Sequence, residues 1–282
     1  MATRFDSALI RVARASAPRP AAARVAAKDF QLGLWPAVWS EVRWAFTPPR
    51  SWLLGVLTNV VLALIWLVAQ PLTTHGRHHQ DWVILIGTYF SSFVLADTTT
   101  TNVLGGDHYR VQRGLSESVP PWRMLLIKNL ALLILVGLPT LTVAVVLTLR
   151  LETPARLGVT IPNVAVPIVS WLGLGNAISV LLPVAEIPLL RRWRQRHDRG
   201  RTAAWLVSLV LPYALYLVAD PVGGVEHREL WRKLPTAFAH VFGAVLGRDT
   251  KSFVHLGIAL TVWVAGTVFA DWWIRRRGVR FR

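Results

Sequence analysis

The side chains able to do chemistry in this 282-residue chain are few and scattered. His75, His78 and His79 sit together in the turn 73–81. Zinc needs three or four ligands, usually with cysteine, carboxylate or further histidine help. The chain contains no cysteine and no His-Glu-x-x-His pair, so these histidines read as solvated turn residues. The absence of cysteine also excludes a disulfide, a thiolate metal site and a cysteine nucleophile. Asp107 and His108 are adjacent at the end of an apolar run, but no second carboxylate is placed by sequence to complete an acid–base pair. No Gly-x-Ser-x-Gly nucleophile turn occurs, and no Gly-x-x-x-x-Gly-Lys-Ser/Thr phosphate loop occurs; residues 247–252 only imitate the latter. Lys128 lies about one turn inside an apolar run, where snorkelling to the headgroups accounts for it.

The elements around these residues are dominated by lipid-compatible sequence. Hydrophobic residues make up 53% of the chain and charged residues only 16%, well below the quarter or so usual in soluble domains. Fourteen tryptophans fit membrane–water interfaces. The pattern predicts an all-α integral membrane protein with six transmembrane helices, at about 52–69, 82–96, 125–149, 164–187, 203–219 and 253–274. Residues 1–28 read as a basic cytoplasmic tail, and 29–282 as a single transmembrane domain. Within 34–46 the apolar stripe Leu34, Val38, Val42 and Phe46 predicts an N-terminal interfacial helix on the inner leaflet, with Ser40, Glu41 and Arg43 off the stripe. Residues 234–247 are apolar but too short to span; they predict a re-entrant or interfacial helix before the last span.

Charge is dealt out to alternate ends of these spans. The first 50 residues carry eight basic and three acidic groups, residues 191–201 carry six arginines, and the last eight residues carry five. Residues 219–252 are nearly balanced, with five basic and four acidic groups. Arginine-rich loops stay in the cytoplasm, so both termini are expected inside a cell membrane that the chain crosses several times. The same distribution accounts for the net charge of +16 without nucleic acid, which would need the arginines on one face.

The stretch 105–129 has the most specific pattern. Gly105, Gly106 and Asp107 break the preceding run, a short polar helix carrying Arg110 and Arg113 is expected next, and Pro120-Pro121 restart the chain as a helix. In the fourth span, Gly173/Ala177 and Gly175/Ser179 are small pairs four apart, and Asn176 seeks a hydrogen bond across helices; close helix packing is the simplest reading. Thr58 and Asn59 are polar within the first span and candidates to face a pathway.

Two of these segments carry a family resemblance. Gly106-Asp107, then Pro121-x-Arg123-x-Leu125-Leu126-x-Lys128-Asn129-Leu130, together with 173–183, resemble the permease subunits of ABC type-2 exporters from GC-rich bacteria. Twenty-seven arginines against four lysines suit such a source. The resemblance implies a subunit that moves an amphipathic or lipid-like substrate, with ATP and Mg bound on separate ABC ATPase subunits and no cofactor in this chain. It implies that Asp107, Arg110, Arg113 and Glu117 belong to the ATPase-coupling loop, and that a second permease copy completes the export path as a homodimer. On this reading 234–247 forms the outer gate, with Pro235, Phe238 and Phe242 its candidate residues. Two readings from other classes stand beside it: a lipid-modifying membrane enzyme, which needs a His/Asp/Glu cluster at one face, and a non-transporting scaffold, which needs no ATPase.

Overall fold

A computed structural model of the chain describes residues 29–47, 53, 56–57, 60–61, 101–185, 197–219, 248–279 and 281. Most of the first span, the second span, the histidine turn, and Thr58, Asn59, Pro235, Phe238 and Phe242 lie outside the described residues. Within them the structure is all-helical, at 84% helix, with no strand.

The described helices are α1 (Leu34–Ala45), α2 (His108–Ser116), α3 (Pro121–Leu132), α4 (Leu138–Leu151), α5 (Leu157–Leu181), α6 (Arg199–Ala219) and α7 (Arg248–Arg277). Three stretches are long and apolar enough to cross a membrane: Pro121–Arg150, Pro154–Leu181 and Thr250–Arg277. They overlap the expected third, fourth and sixth spans.

The first of these, α3 and α4, is continuous through a π-helical turn, Leu133–Gly137. Its position follows from Pro139. A proline inside a helix lacks the N–H that would bond four residues back, and its ring crowds that carbonyl. A wider turn absorbs the mismatch, and the Thr140 hydroxyl donates to the Val136 carbonyl at 2.8 Å. The second begins earlier than expected, because Pro162 is accommodated inside α5 instead of delaying its start, as Pro167 is further along. Asn163 helps, donating to the Val159 carbonyl at 2.7 Å. After α5, Pro183 prevents continuation.

α5 and α7 run parallel. Asn163 meets Ser252, and thirteen residues further along Asn176 meets Thr267, so the offset hardly changes, from 89 to 91. Between these contacts the backbones touch. A Cβ on Gly173 would lie 2.6 Å from the Trp263 Cα, and one on Gly266 would overlap the Gly173 carbonyl. Gly173 and Asn176 of α5 thus face α7, whereas Ser179 meets Val103.

An apolar core gathers one end of the bundle: Val42 and Ala45 of α1, Val103 and Leu104, Val111 of α2, Leu125 and Leu132 of α3, Val180 of α5, and Ile274 of α7. A second cluster, Val136, Ala144, Val164, Ile168 and Trp171, joins α4 to α5, with Val56 and Val60 packed against it.

Candidate functional site: a buried ring of charge beneath α2

The segment 101–123 breaks and restarts as its glycines and prolines dictate. Asp107 occupies the N-cap position of α2. α2 ends in a Schellman pattern: Val119 N–H bonds to the Gly114 carbonyl at 3.0 Å and Ser118 N–H to the Leu115 carbonyl at 3.1 Å. Ser118 takes the left-handed conformation that this pattern needs, with φ of 61°. Pro121 then opens α3, where a missing N–H costs nothing.

Side chains bolt this segment to each of its neighbours. Asn102 grips residue 184, just past α5, in both directions: its amide donates to the Val184 carbonyl at 2.6 Å and its carbonyl accepts from Val184 N–H at 3.1 Å. Gly105 passes so close that a Cβ would overlap the Val184 carbonyl. Ser179 of α5 accepts from Val103 N–H at 3.0 Å and points its hydroxyl at the Thr101 carbonyl. Asp271 of α7 accepts from Trp122 N–H at 3.0 Å. Arg123 donates to the carbonyls of Phe30, at 2.9 Å, and of Leu32.

The fourth attachment is ionic. Glu41 of α1, Asp107 and Arg110 of α2, and Lys128 of α3 converge in a buried ring of alternating charge. Lys128 Nζ is 2.7 Å from Glu41 Oε1 and 2.8 Å from both Asp107 carboxylate oxygens. Arg110 closes the ring, 2.9 Å from Glu41 Oε2 and 3.1 Å from Asp107 Oδ2. The Arg110–Glu41 contact meets an ion-pair distance but not hydrogen-bond angles, so it is the less directional side; Glu41 Oε2 and Arg110 Nε have no hydrogen-bond partner among the described residues. Phe30 and Trp44 cover the cations: Arg110 Cζ lies 5.0 Å from both ring centroids, and Lys128 Nζ 5.7 and 5.6 Å.

Burial and pairing pull against each other here. Burial acts to raise the Glu41 carboxyl, and Arg110 and Lys128 together outweigh it, holding Glu41 below the ordinary carboxylate range. Asp107 ends above its ordinary value: burial raises it, Lys128 pulls it down, and the neighbouring Glu41 charge pushes it up again. Burial opposes the Arg110 cation, but Glu41 and Asp107 more than compensate, so its pKa rises. Half-burial lowers the pKa of His108, which packs against Tyr109 and Phe281.

The sequence-level site is therefore split. Asp107 and Arg110 point inward, so removing them disturbs a packed interior. Arg113 and Glu117 lie on the outer side of α2, paired to each other at 2.7 Å, with the Arg113 side chain 47% exposed. Tyr109, Gln112 and Ser116 share that exposed side. In α5, Gly173, Gly175, Asn176 and Ser179 are all buried, and the first, third and fourth have the α7 and loop partners given above.

Two members of the ring were misread from sequence. Lys128 does not snorkel: its side chain is fully buried because two carboxylates reach it before the headgroups do. Glu41 does not lie off the stripe of α1. The buried side is Ala37, Val38, Glu41, Val42 and Ala45, while Leu34 and Phe46 are exposed. The signal was present, since Glu41 is seven residues from Leu34 and three from Val38, which at 3.6 residues per turn is the same side.

No family model, curated protein or solved structure matches this chain. The class that the fold defines is accordingly a broad one, a helical protein with helices able to cross a membrane.

Proposed function

We propose that the chain is the six-span permease subunit of an ABC exporter, working with separate ATPase subunits that bind ATP and Mg, and with a second copy of itself. The supporting observation is the bolting of segment 101–123 to α1, α3, α5 and α7. A partner that displaced α2 would have to move these helices with it, because each attachment is a buried or backbone-directed contact. Such a segment converts a push at one membrane end into rearrangement of spans, which is what transport driven by a separate ATPase requires.

The order and direction of the helices support this reading. Parallel α5 and α7 require the chain between them to recross the membrane, and α6, 21 residues long, lies in that interval. The start of α3, the end of α5 and the end of α7 share one end of the bundle through Asn102 and Asp271. Arg275, Arg276 and Arg277 sit at that end, and the arginine-rich 191–201 follows α5. Basic ends face the cytoplasm, so segment 101–123 and both termini are cytoplasmic. The substrate is amphipathic or lipid-like, and the outer gate is 234–247.

The experiment uses the exposed side of α2. Arg113→Glu should leave expression and insertion unchanged, since exposed substitutions shift stability by about 0.5 kcal/mol or less. It should weaken co-purification of an ATPase subunit or abolish substrate-stimulated ATP hydrolysis in reconstituted lipid. Arg194→Glu, in the other basic loop, is the comparison. Unchanged assembly, hydrolysis and transport in Arg113→Glu would refute the assignment of α2 as the coupling element.

A further inference from the structure

α1 lies alongside the start of the membrane-length helix Pro121–Arg150, not above it. Arg123, two residues into Pro121–Arg150, holds the carbonyls of Phe30 and Leu32 just before α1. Glu41, in the second half of α1, reaches Lys128, five residues deeper. At 1.5 Å per residue that is a descent of about 7 Å along the span. The inner side of α1 is sealed against α3 by Val38, Met124 and Ile127. Its outer side presents Trp35, at 61% exposure, and Trp39, at 53%, one turn apart. Beside a helix that crosses a membrane this level would fall at the headgroup–acyl boundary, where tryptophan is favoured and where amphipathic helices sink about 5–10 Å.

The ring faces the other way, and its four charges have a property that separate ion pairs lack. Each carboxylate touches both cations, and each cation both carboxylates. The ring is neutral as a whole, but removing any one member leaves a net charge with little access to water. Taking a charge from water into such a place costs several kcal/mol even after relaxation. Partial opening is thus penalised, and the ring is either closed or pulled apart.

We infer that Glu41, Asp107, Arg110 and Lys128 form a closed charge latch that fastens a bilayer-embedded helix, α1, to α2 and the start of α3, so that the three move as one body. The lipid surface is the partner of α1, and the latch carries the position of that helix to the loop. The inference stands whether or not an ATPase binds α2.

The chain has no cysteine, so spin labels can be placed at will. Arg43→Cys and Ser116→Cys, both exposed, put one label on α1 and one on α2. In lipid nanodiscs a single narrow distance distribution is expected. Glu41→Gln, which keeps shape and removes one charge, should lose the narrow distribution. Exchanging one pair, Glu41→Lys with Lys128→Glu, should not restore it, since this sets a lysine against Arg110 and a glutamate against Asp107. Exchanging all four, with Asp107→Lys and Arg110→Glu added, restores the alternation and should recover it at least in part. A narrow distribution in Glu41→Gln, or rescue by the single exchange, would overturn the latch. Where the exchanged proteins fail to insert, Glu41→Gln alone decides. A label at Trp39→Cys should be reached by oxygen and shielded from a water-soluble nickel relaxant, and one at Gln112→Cys the reverse; water access at position 39 would overturn the lipid contact.

Discussion

Two close junctions in the described bundle are built on opposite principles. Where α1, α2 and α3 meet, four charged side chains fill the space, and the junction depends on none being missing. Where α5 crosses α7, two glycines let the backbones touch, and the junction depends on nothing being added. The first lies toward the basic end of the bundle, the second deeper in the apolar spans. In lipid there is little hydrophobic drive between helices, so close packing of small residues carries association there. Near the water end, charge can be brought in, provided that it is neutralised on arrival. Backbone approach leads at the α5–α7 junction, with two polar contacts beside it, whereas α2 is joined by a contact that other charges can undo.

The largest expected effect follows from subtraction at the ring. Lys128→Ala leaves two carboxylates facing one guanidinium in a buried space, and breaking a buried pair by removing one partner costs about 3–5 kcal/mol. A marked drop in folded yield and in thermal unfolding temperature in detergent is expected. The sharper form is a pair of removals. Glu41→Leu combined with Lys128→Met leaves Asp107 and Arg110 as a neutral pair, so the double variant should be less damaged than Lys128→Ala. Buried ion pairs often exchange for apolar groups at little net cost. Damage equal to the sum of the single changes would show that the four charges do not act as a unit.

Addition at the α5–α7 crossing should come next. Gly266→Val sets a branched side chain against the Gly173 carbonyl, a backbone group that cannot rotate away. Overpacking costs about 1–3 kcal/mol where side chains can shift, and the upper part of that range is expected here. Gly257→Val, on the same helix, is the control: nothing lies within 4 Å of its added Cβ, so the unfolding temperature should stay close to that of the parent. Equal effects at both positions would show that the glycine contact is not what holds α5 to α7.

Legibility in the sequence followed the same division. The apolar runs at the expected third and sixth spans located two membrane-length helices to within a few residues, because length and hydropathy alone determine them. The small residues of α5 were readable as a packing side, though not their partner, since Gly266 and Thr267 give no sign of which helix they oppose. Turn chemistry at Gly105, Gly106 and Pro120-Pro121 gave the limits of α2. The ring was not legible as a ring. Asp107 and Arg110 look like surface groups in a polar loop, and Lys128 has an ordinary escape to the headgroups. Only the meeting of three segments, separated by 66 and 21 residues at Glu41, Asp107 and Lys128, changes what each charge means. Pattern reading within one window has no access to that. Glu41 alone had a local clue, its register with Val38 and Leu34.

The smallest expected effect tests how much polarity contributes at the shape-built junction. Asn176 donates to the Thr267 hydroxyl at 2.9 Å, and Thr267 passes its own proton to the Trp263 carbonyl at 2.8 Å. Asn176→Leu removes the first bond but leaves Thr267 satisfied, and it also removes an amide oxygen that has no partner among the described residues. Interhelical hydrogen bonds within membranes average about 0.6 kcal/mol and reach about 1.7, so the loss should fall at or below the average. Thr267→Val is less forgiving, because it leaves the buried Asn176 amide without its acceptor, at a cost of about 1–3 kcal/mol. The double variant should therefore be no worse than Thr267→Val alone. A cycle over these two positions, set beside one over Glu41 and Lys128, measures the contrast directly. Coupling at 176 and 267 as large as that in the ring would mean that polar contact, and not backbone approach, holds the two parallel helices together.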